Sequence, residues 1–242
     1  MSDFITGQEA SIRLGVFVGT LLLIALFEIL VPRRVLTTSK VSRWFGNLGI
    51  VVINSVALRL LFPISAVQLA FWAGEKGWGL FNIMDFPYWL LVALSIILLD
   101  FIIYLQHVMF HAVPSLWRLH MMHHADLDYD LTTGIRFHPI EIIVSMGIKF
   151  SAIVLLGAPA LAVVMFEILL NGMAMFNHGN FYIPLGLDAC ISFSFSERVS
   201  MVKGFWRKAS APAPSRSWAG PSTEYPLMRR TFMSGLISFR VR

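Results

Sequence analysis

With 57% hydrophobic and 14% charged residues among 242, and a mean hydropathy of +0.71, the chain falls outside the range of soluble domains, and a bilayer is its expected solvent. The formal net charge of +5 is unevenly placed: residues 1–190 hold 10 basic and 12 acidic side chains, net −2, and residues 191–242 hold 9 and 2, net +7. The apolar part has no basic stripe with interleaved aromatics and so offers nothing to nucleic acid, and the single Cys190 excludes an internal disulfide or a Cys-x-x-Cys site.

The N-terminal stretch has no basic segment before its apolar run, so the first span, about Arg13 to Val31, is expected to be retained rather than cleaved as a signal peptide. The loop that follows carries Arg33, Arg34, Lys40 and Arg43 and no acid, which places it in the cytoplasm and the N-terminus outside. A second apolar run, Leu48 to Trp72, leads outward to a loop with Glu75, Lys76 and Asp85. The third, Tyr88 to His107, returns to the cytoplasmic side. The last run, Ile140 to Met175, is too long for one crossing, and Gly157-Ala158-Pro159 divides it into a hairpin, because proline lacks a backbone donor and disfavours helix at the residue before it. Lys149 and Glu167 inside that hairpin require protein partners or an interface. The expected fold is an all-α membrane protein of about four to five transmembrane or re-entrant helices, with its histidines at the cytoplasmic side. Residues 1–190 form the membrane domain and 191–242 a basic tail.

Five of the seven histidines lie within 18 residues: His107 and His111, then His120, His123 and His124. Residues four apart share a helix face, so each group can aim imidazoles at one point, and the turn Val113-Pro114-Ser115 separates the two groups. An imidazole cluster without thiolates suits iron or zinc. His138 and His178 are further candidate ligands. Asp100 and Tyr104 share the stripe of His107 and His111, and a carboxylate such as Asp100 or Glu141 can fix the tautomer of a ligand histidine.

The combination Asp100-x3-Tyr104-x2-His107-x3-His111, Leu116-Trp117-Arg118-x-His120-x2-His123-His124 and Arg136-Phe137-His138-Pro139-x-Glu141 resembles the fatty acid hydroxylase superfamily, which includes the sterol desaturases. The resemblance covers roughly residues 15 to 190. It implies a membrane-embedded helical fold, a cytoplasmic centre of two irons that zinc can replace, and O₂-dependent hydroxylation or desaturation of a lipid or sterol-like substrate. No flavin or nicotinamide fingerprint is present, so electrons come from a separate donor protein. The superfamily pattern also implies a closing His-x-x-His-His box, whereas no histidine follows His178. From about Ile191 the chain turns rich in Ser, Arg and Pro. The sequence therefore predicts a non-native ending, of the kind a frameshift produces, and little or no oxygenase activity.

Rival readings are a membrane acyl desaturase, a non-catalytic or decayed metal-binding membrane protein, and bis-histidine haem binding, which leaves five histidines unexplained. A membrane zinc protease lacks its His-Glu-x-x-His.

Overall fold

The computed structural model describes residues 2–126 and 128–182, with side chains from residue 8 onward. Among them are seven α-helices and no strand: α1 (Ser2–Leu30), α2 (Lys40–Leu61), α3 (Ala66–Glu75), α4 (Tyr88–Ala112), α5 (Pro114–His124), α6 (Pro139–Leu156) and α7 (Ala160–His178). Short 3-10 turns cover Leu80–Ile83 and Leu131–Ile135. Five stretches are long and apolar enough to cross a bilayer: Gln8–Leu30, Lys40–Ile83, Tyr88–Ala112, Pro139–Leu156 and Ala160–His178. Leu22, Ile29 and Leu60, each more than 60% exposed, give these helices the apolar outer faces that lipid requires and water penalises. The chain is an integral membrane protein. Cys190 and the tail expected from about Ile191 lie outside the described residues.

The second apolar run differs from the sequence expectation, which made Leu48 to Trp72 one span. Pro63 removes a backbone donor and sets Phe62 extended (φ −121°, ψ 88°), so α2 stops at Leu61. Ser65 then starts α3 with a capping box: its hydroxyl accepts from Gln68 N–H, while the Gln68 side chain accepts from Ser65 N–H. At 10 residues α3 rises only about 15 Å, too little to cross. Its small residues Ala66, Ala70 and Ala73 are instead buried against α6 and α7, the close approach that such residues permit.

The hairpin does break where expected. Gly157 caps α6 in the left-handed region (φ 67°), and Pro159 precedes α7. A Cβ at Gly157 would also meet Trp78 O at 2.6 Å, so the site demands glycine twice over. Lys149 and Glu167 find the protein partners they need: Glu167 Oε1 accepts from Lys149 Nζ at 2.7 Å, and Oε2 pairs with Arg13 at 2.8 Å, tying α1, α6 and α7 together.

Helix α7 occupies the centre, against α1, α3, α4 and the Leu131–Ile135 turn. One apolar cluster joins α3, α4, α6 and α7 through Val67, Leu99, Ile153, Val163 and Phe166. A second joins α1, the turn and α7 through Ile24, Leu131, Ile135 and Met175. Gly134 lets the turn touch α7 directly, since a Cβ there would run into the carbonyl of Ala174 and lie 3.1 Å from Met175 N. Gly134→Ala is therefore expected to force the two backbones apart and to destabilise the protein by about 1–3 kcal/mol. Thermal unfolding in detergent, beside Gly147→Ala where a Cβ meets nothing within 4 Å, checks this.

Candidate metal centre

The last turn of α4 presents His107 and His111 at one end of the bundle. Val113 is extended (φ −93°, ψ 118°), and Pro114, at the first position of α5, turns the chain so that α5 packs back on α4. That return brings His120 and His124 against the first pair. The Nε2 atoms of His107 and His111 lie 3.1 Å apart, those of His111 and His124 3.3 Å, and those of His124 and His120 3.1 Å. One ring nitrogen from each of the four lies within 4.8 Å of all the others.

These spacings suit a metal. Nitrogens bound at about 2 Å to one ion stand roughly 2.8–3.4 Å apart at adjacent positions of an octahedron or a tetrahedron. The opposite ring nitrogens support the same reading. His120 Nδ1 lies 2.7 Å from Glu141 Oε1, both groups being buried, and in donating to this carboxylate it leaves Nε2 with a lone pair aimed at the cluster. His124 Nδ1 lies 3.4 Å from the Tyr129 hydroxyl. The residues present fit a first-row metal ion, with His107, His111, His120 and His124 as its holders.

His123 and His178 form an adjoining pair, ring centroids 4.8 Å apart. Each donates Nδ1–H to a carbonyl, His123 to Arg136 O (3.2 Å) and His178 to Ala174 O (2.8 Å), which fixes the tautomer of both rings. Phe137 stacks on His123 at 4.6 Å and 2°, and Tyr129 stacks on His178 at 5.7 Å. His138 stands apart. Preceding Pro139, it caps α6, its Nδ1 accepting from Ile140 N–H at 3.2 Å, and it lies outside the group of four converging histidines. Among the described residues Asp100 makes no hydrogen bond to a histidine, and Glu141 is the carboxylate that meets His120.

Burial lowers the pKa of His123 well below the ordinary histidine value, reinforced by His178 and His124. Burial and then His120 bring His124 down to about 2. Burial would raise Asp128, but the hydroxyls and backbone N–H groups of Thr38 and Thr37 outweigh it and hold its carboxyl at about 2. All three shifts act in one direction. Below about pH 6.5 the unfolded chain takes up protons that the buried imidazoles refuse, and Asp128's contribution, full above about pH 4, is lost as pH falls through about 2. Metal-free protein is therefore expected to lose stability steadily from pH 7 to pH 4, measured as its unfolding midpoint against pH.

A polar scaffold behind the histidines goes beyond the sequence reading. Arg43 pairs with Asp126 (2.8 Å) and Asp130 (2.9 Å), Trp44 Nε1 donates to Asp130 (3.1 Å), and Asn47 donates to Thr132 (2.9 Å). Glu28 of α1 accepts from the backbone N–H of Leu131 (2.8 Å) and of Asn180 (2.9 Å), and its other oxygen pairs with Lys40 (2.8 Å). An acid inside the first apolar run was the available signal.

This is a helical membrane protein whose histidines converge at one end, backed by a carboxylate, in a group that could hold a metal ion. Residues 92–200 match the fatty acid hydroxylase family, which places the stretch carrying every histidine in the fatty acid hydroxylase superfamily. The match runs past the boundary at residue 190 expected from sequence. The ornithine lipid hydroxylase OlsE of Rhizobium tropici is 26% identical over 160 residues, 60% of this chain and 45% of that protein. The chain thus spans less than half of that relative's length. No solved structure matches.

Proposed function

We propose that the chain is a non-haem iron oxidoreductase that hydroxylates a lipid with O₂, its metal centre facing the cytoplasm. The observation that carries this is the convergence of four imidazoles, one of them tied to Glu141, within a stretch matching a hydroxylase family. The relative acts, by its name, on a polar lipid, and a membrane lipid is the substrate class taken for this chain. When bound, iron would supply the one-electron chemistry that lets O₂ oxidise an unactivated C–H bond.

The balance is R–H + O₂ + 2 e⁻ + 2 H⁺ → R–OH + H₂O, and a separate electron-donor protein delivers the two electrons. The chain's own residues do the rest. Glu141 holds His120 in one tautomer, the carbonyls of Arg136 and Ala174 do the same for His123 and His178, and Phe137, Trp117 and Phe110 cover the imidazole rings against water. The four-histidine set lies wholly within residues 107–124; His123 and His178 supply two donors toward a second ion. The loop with Arg33, Arg34, Lys40 and Arg43 meets the histidine end, Thr37 and Thr38 binding Asp128 and Arg43 binding Asp126, and the positive-inside rule then favours the cytoplasm for both.

The test is metal analysis of detergent-purified protein, followed by mass spectrometry of membrane lipids from expressing cells grown under ¹⁸O₂. Two irons per chain and one labelled oxygen per product lipid are expected of the hydroxylase. One metal and no labelled lipid would favour the decayed, metal-binding reading and the inactive tail. Absence of any first-row metal would end the proposal.

A further inference from the structure

Five Lys or Arg side chains among the described residues are half-buried: Arg13, Lys40, Arg43, Arg136 and Lys149. Four have a carboxylate. Arg13 and Lys149 share Glu167, Lys40 pairs with Glu28, and Arg43 pairs with Asp126 and Asp130. Arg136 differs: among the described residues its side chain makes neither an ion pair nor a hydrogen bond, and its Nε is enclosed with no partner. A partly desolvated cation with an unmet N–H is costly unless something anionic completes it.

Its backbone, by contrast, is fixed on both sides. Arg136 N–H donates to Thr133 O (3.2 Å), Arg136 O accepts from His123 (3.2 Å), and the next carbonyl, of Phe137, accepts from buried Asn54 (2.9 Å). The guanidinium is thus rooted in a rigid segment one hydrogen bond from the histidines. It also stands three residues before the start of α6, a helix long and apolar enough to cross a bilayer, and the ends of such helices are where head groups are met. Among the described acids, Asp126, Asp128, Asp130 and Glu28 hold other partners, and Glu141 gives Oε1 to His120 while its Oε2, enclosed like Arg136 Nε, makes no hydrogen bond to it.

We propose that Arg136 is a substrate-binding residue which takes the oxyanion of an acidic lipid head group, carboxylate or phosphate, and so positions the lipid beside the histidine cluster. A planar guanidinium fork matches either oxyanion with two parallel hydrogen bonds, and a preorganised backbone lowers the ordering cost of binding. This deepens the hydroxylase reading by naming the substrate's polar end. Binding at Arg136 nevertheless needs neither metal nor turnover, so it is measured separately.

The full-length protein in neutral detergent, analysed for metal content in parallel, is titrated with laurate, decyl phosphate, dodecanol and inorganic phosphate, with thermal stabilisation and tryptophan fluorescence as readouts. Laurate or decyl phosphate should bind and stabilise more than dodecanol, and the difference should shrink with salt. Arg136→Met should weaken the acidic amphiphiles about tenfold or more and leave dodecanol unchanged, while Arg136→Lys, keeping charge but not the fork, should fall between. If Arg136→Met fails to fold, the wild-type comparison and Arg136→Lys decide. Equal binding of acidic and neutral amphiphiles, or an unchanged Arg136→Met, overturns the proposal. Stabilisation by inorganic phosphate equal to that by decyl phosphate would assign the site to a free anion and overturn the lipid assignment. Loss of metal with acidic-amphiphile binding intact would instead count against the hydroxylase reading alone.

Discussion

Alanine at His111 is expected to strip the four-histidine centre of metal, the largest single effect in the molecule. Its Nε2 lies 3.1 Å from that of His107 and 3.3 Å from that of His124, so it bridges the α4 pair to the α5 pair. Losing it removes one of the four converging donors, the one that links the two pairs, and opens a gap that water alone can fill. Glu141→Gln separates ligation from orientation: the amide still accepts from His120 Nδ1–H but no longer makes the imidazole more basic, and a loss of roughly 10–100-fold in metal affinity is expected. His111→Ala should exceed that and should also abolish any lipid oxidation. Metal content after dialysis against a graded chelator series reads both, with far-UV circular dichroism confirming retained helix. Unchanged metal content in His111→Ala would show that these histidines are packing residues.

The sequence made the outline of this site legible because helical spacing is a local property. His107 with His111 and His120 with His124 are each one turn apart, and Pro114 between them marks the corner, so three facts within 18 residues define the meeting point. The hairpin was legible for the same reason, since Gly157 and Pro159 act on their own backbone. What stayed hidden depends on distant residues. That Glu141 and not Asp100 meets His120 is decided by how α6 crosses α4 and α5, and no spacing along one helix carries that crossing. The use of His138 as the cap of α6 was hidden too, although its place before Pro139 offered that role for its ring nitrogen. The split of the second apolar run was written in Pro63 and Ser65, but hydropathy outweighed two residues in a long apolar window.

Glu28→Ala is expected to be the most destabilising change outside the histidines, because one buried carboxylate closes three separate gaps. Glu28 is 5% exposed on α1, 103 residues from Leu131 and 152 from Asn180, yet it accepts from both backbone N–H groups. The first of these begins the turn whose Gly134 touches α7; the second follows His178 by two residues. Glu28 thus fixes from behind the two segments that flank the histidine pair His123 and His178. Removing it leaves two buried donors unmatched and Lys40 without its counter-ion, about 3–5 kcal/mol together. Glu28→Gln keeps an oxygen for the two amides but loses the charge, so its cost should come mainly from Lys40 and be smaller. Thermal unfolding in detergent ranks the three proteins, and hydrogen exchange supplies the local readout. The Leu131 and Asn180 amides should exchange much faster in Glu28→Ala and only modestly faster in Glu28→Gln, while amides of the α6–α7 hairpin near Ile153 and Val163 keep their protection. Equal protection of Leu131 and Asn180 in all three would mean that the turn is held by Arg43 and its aspartates without help from α1, and that Glu28 serves only Lys40.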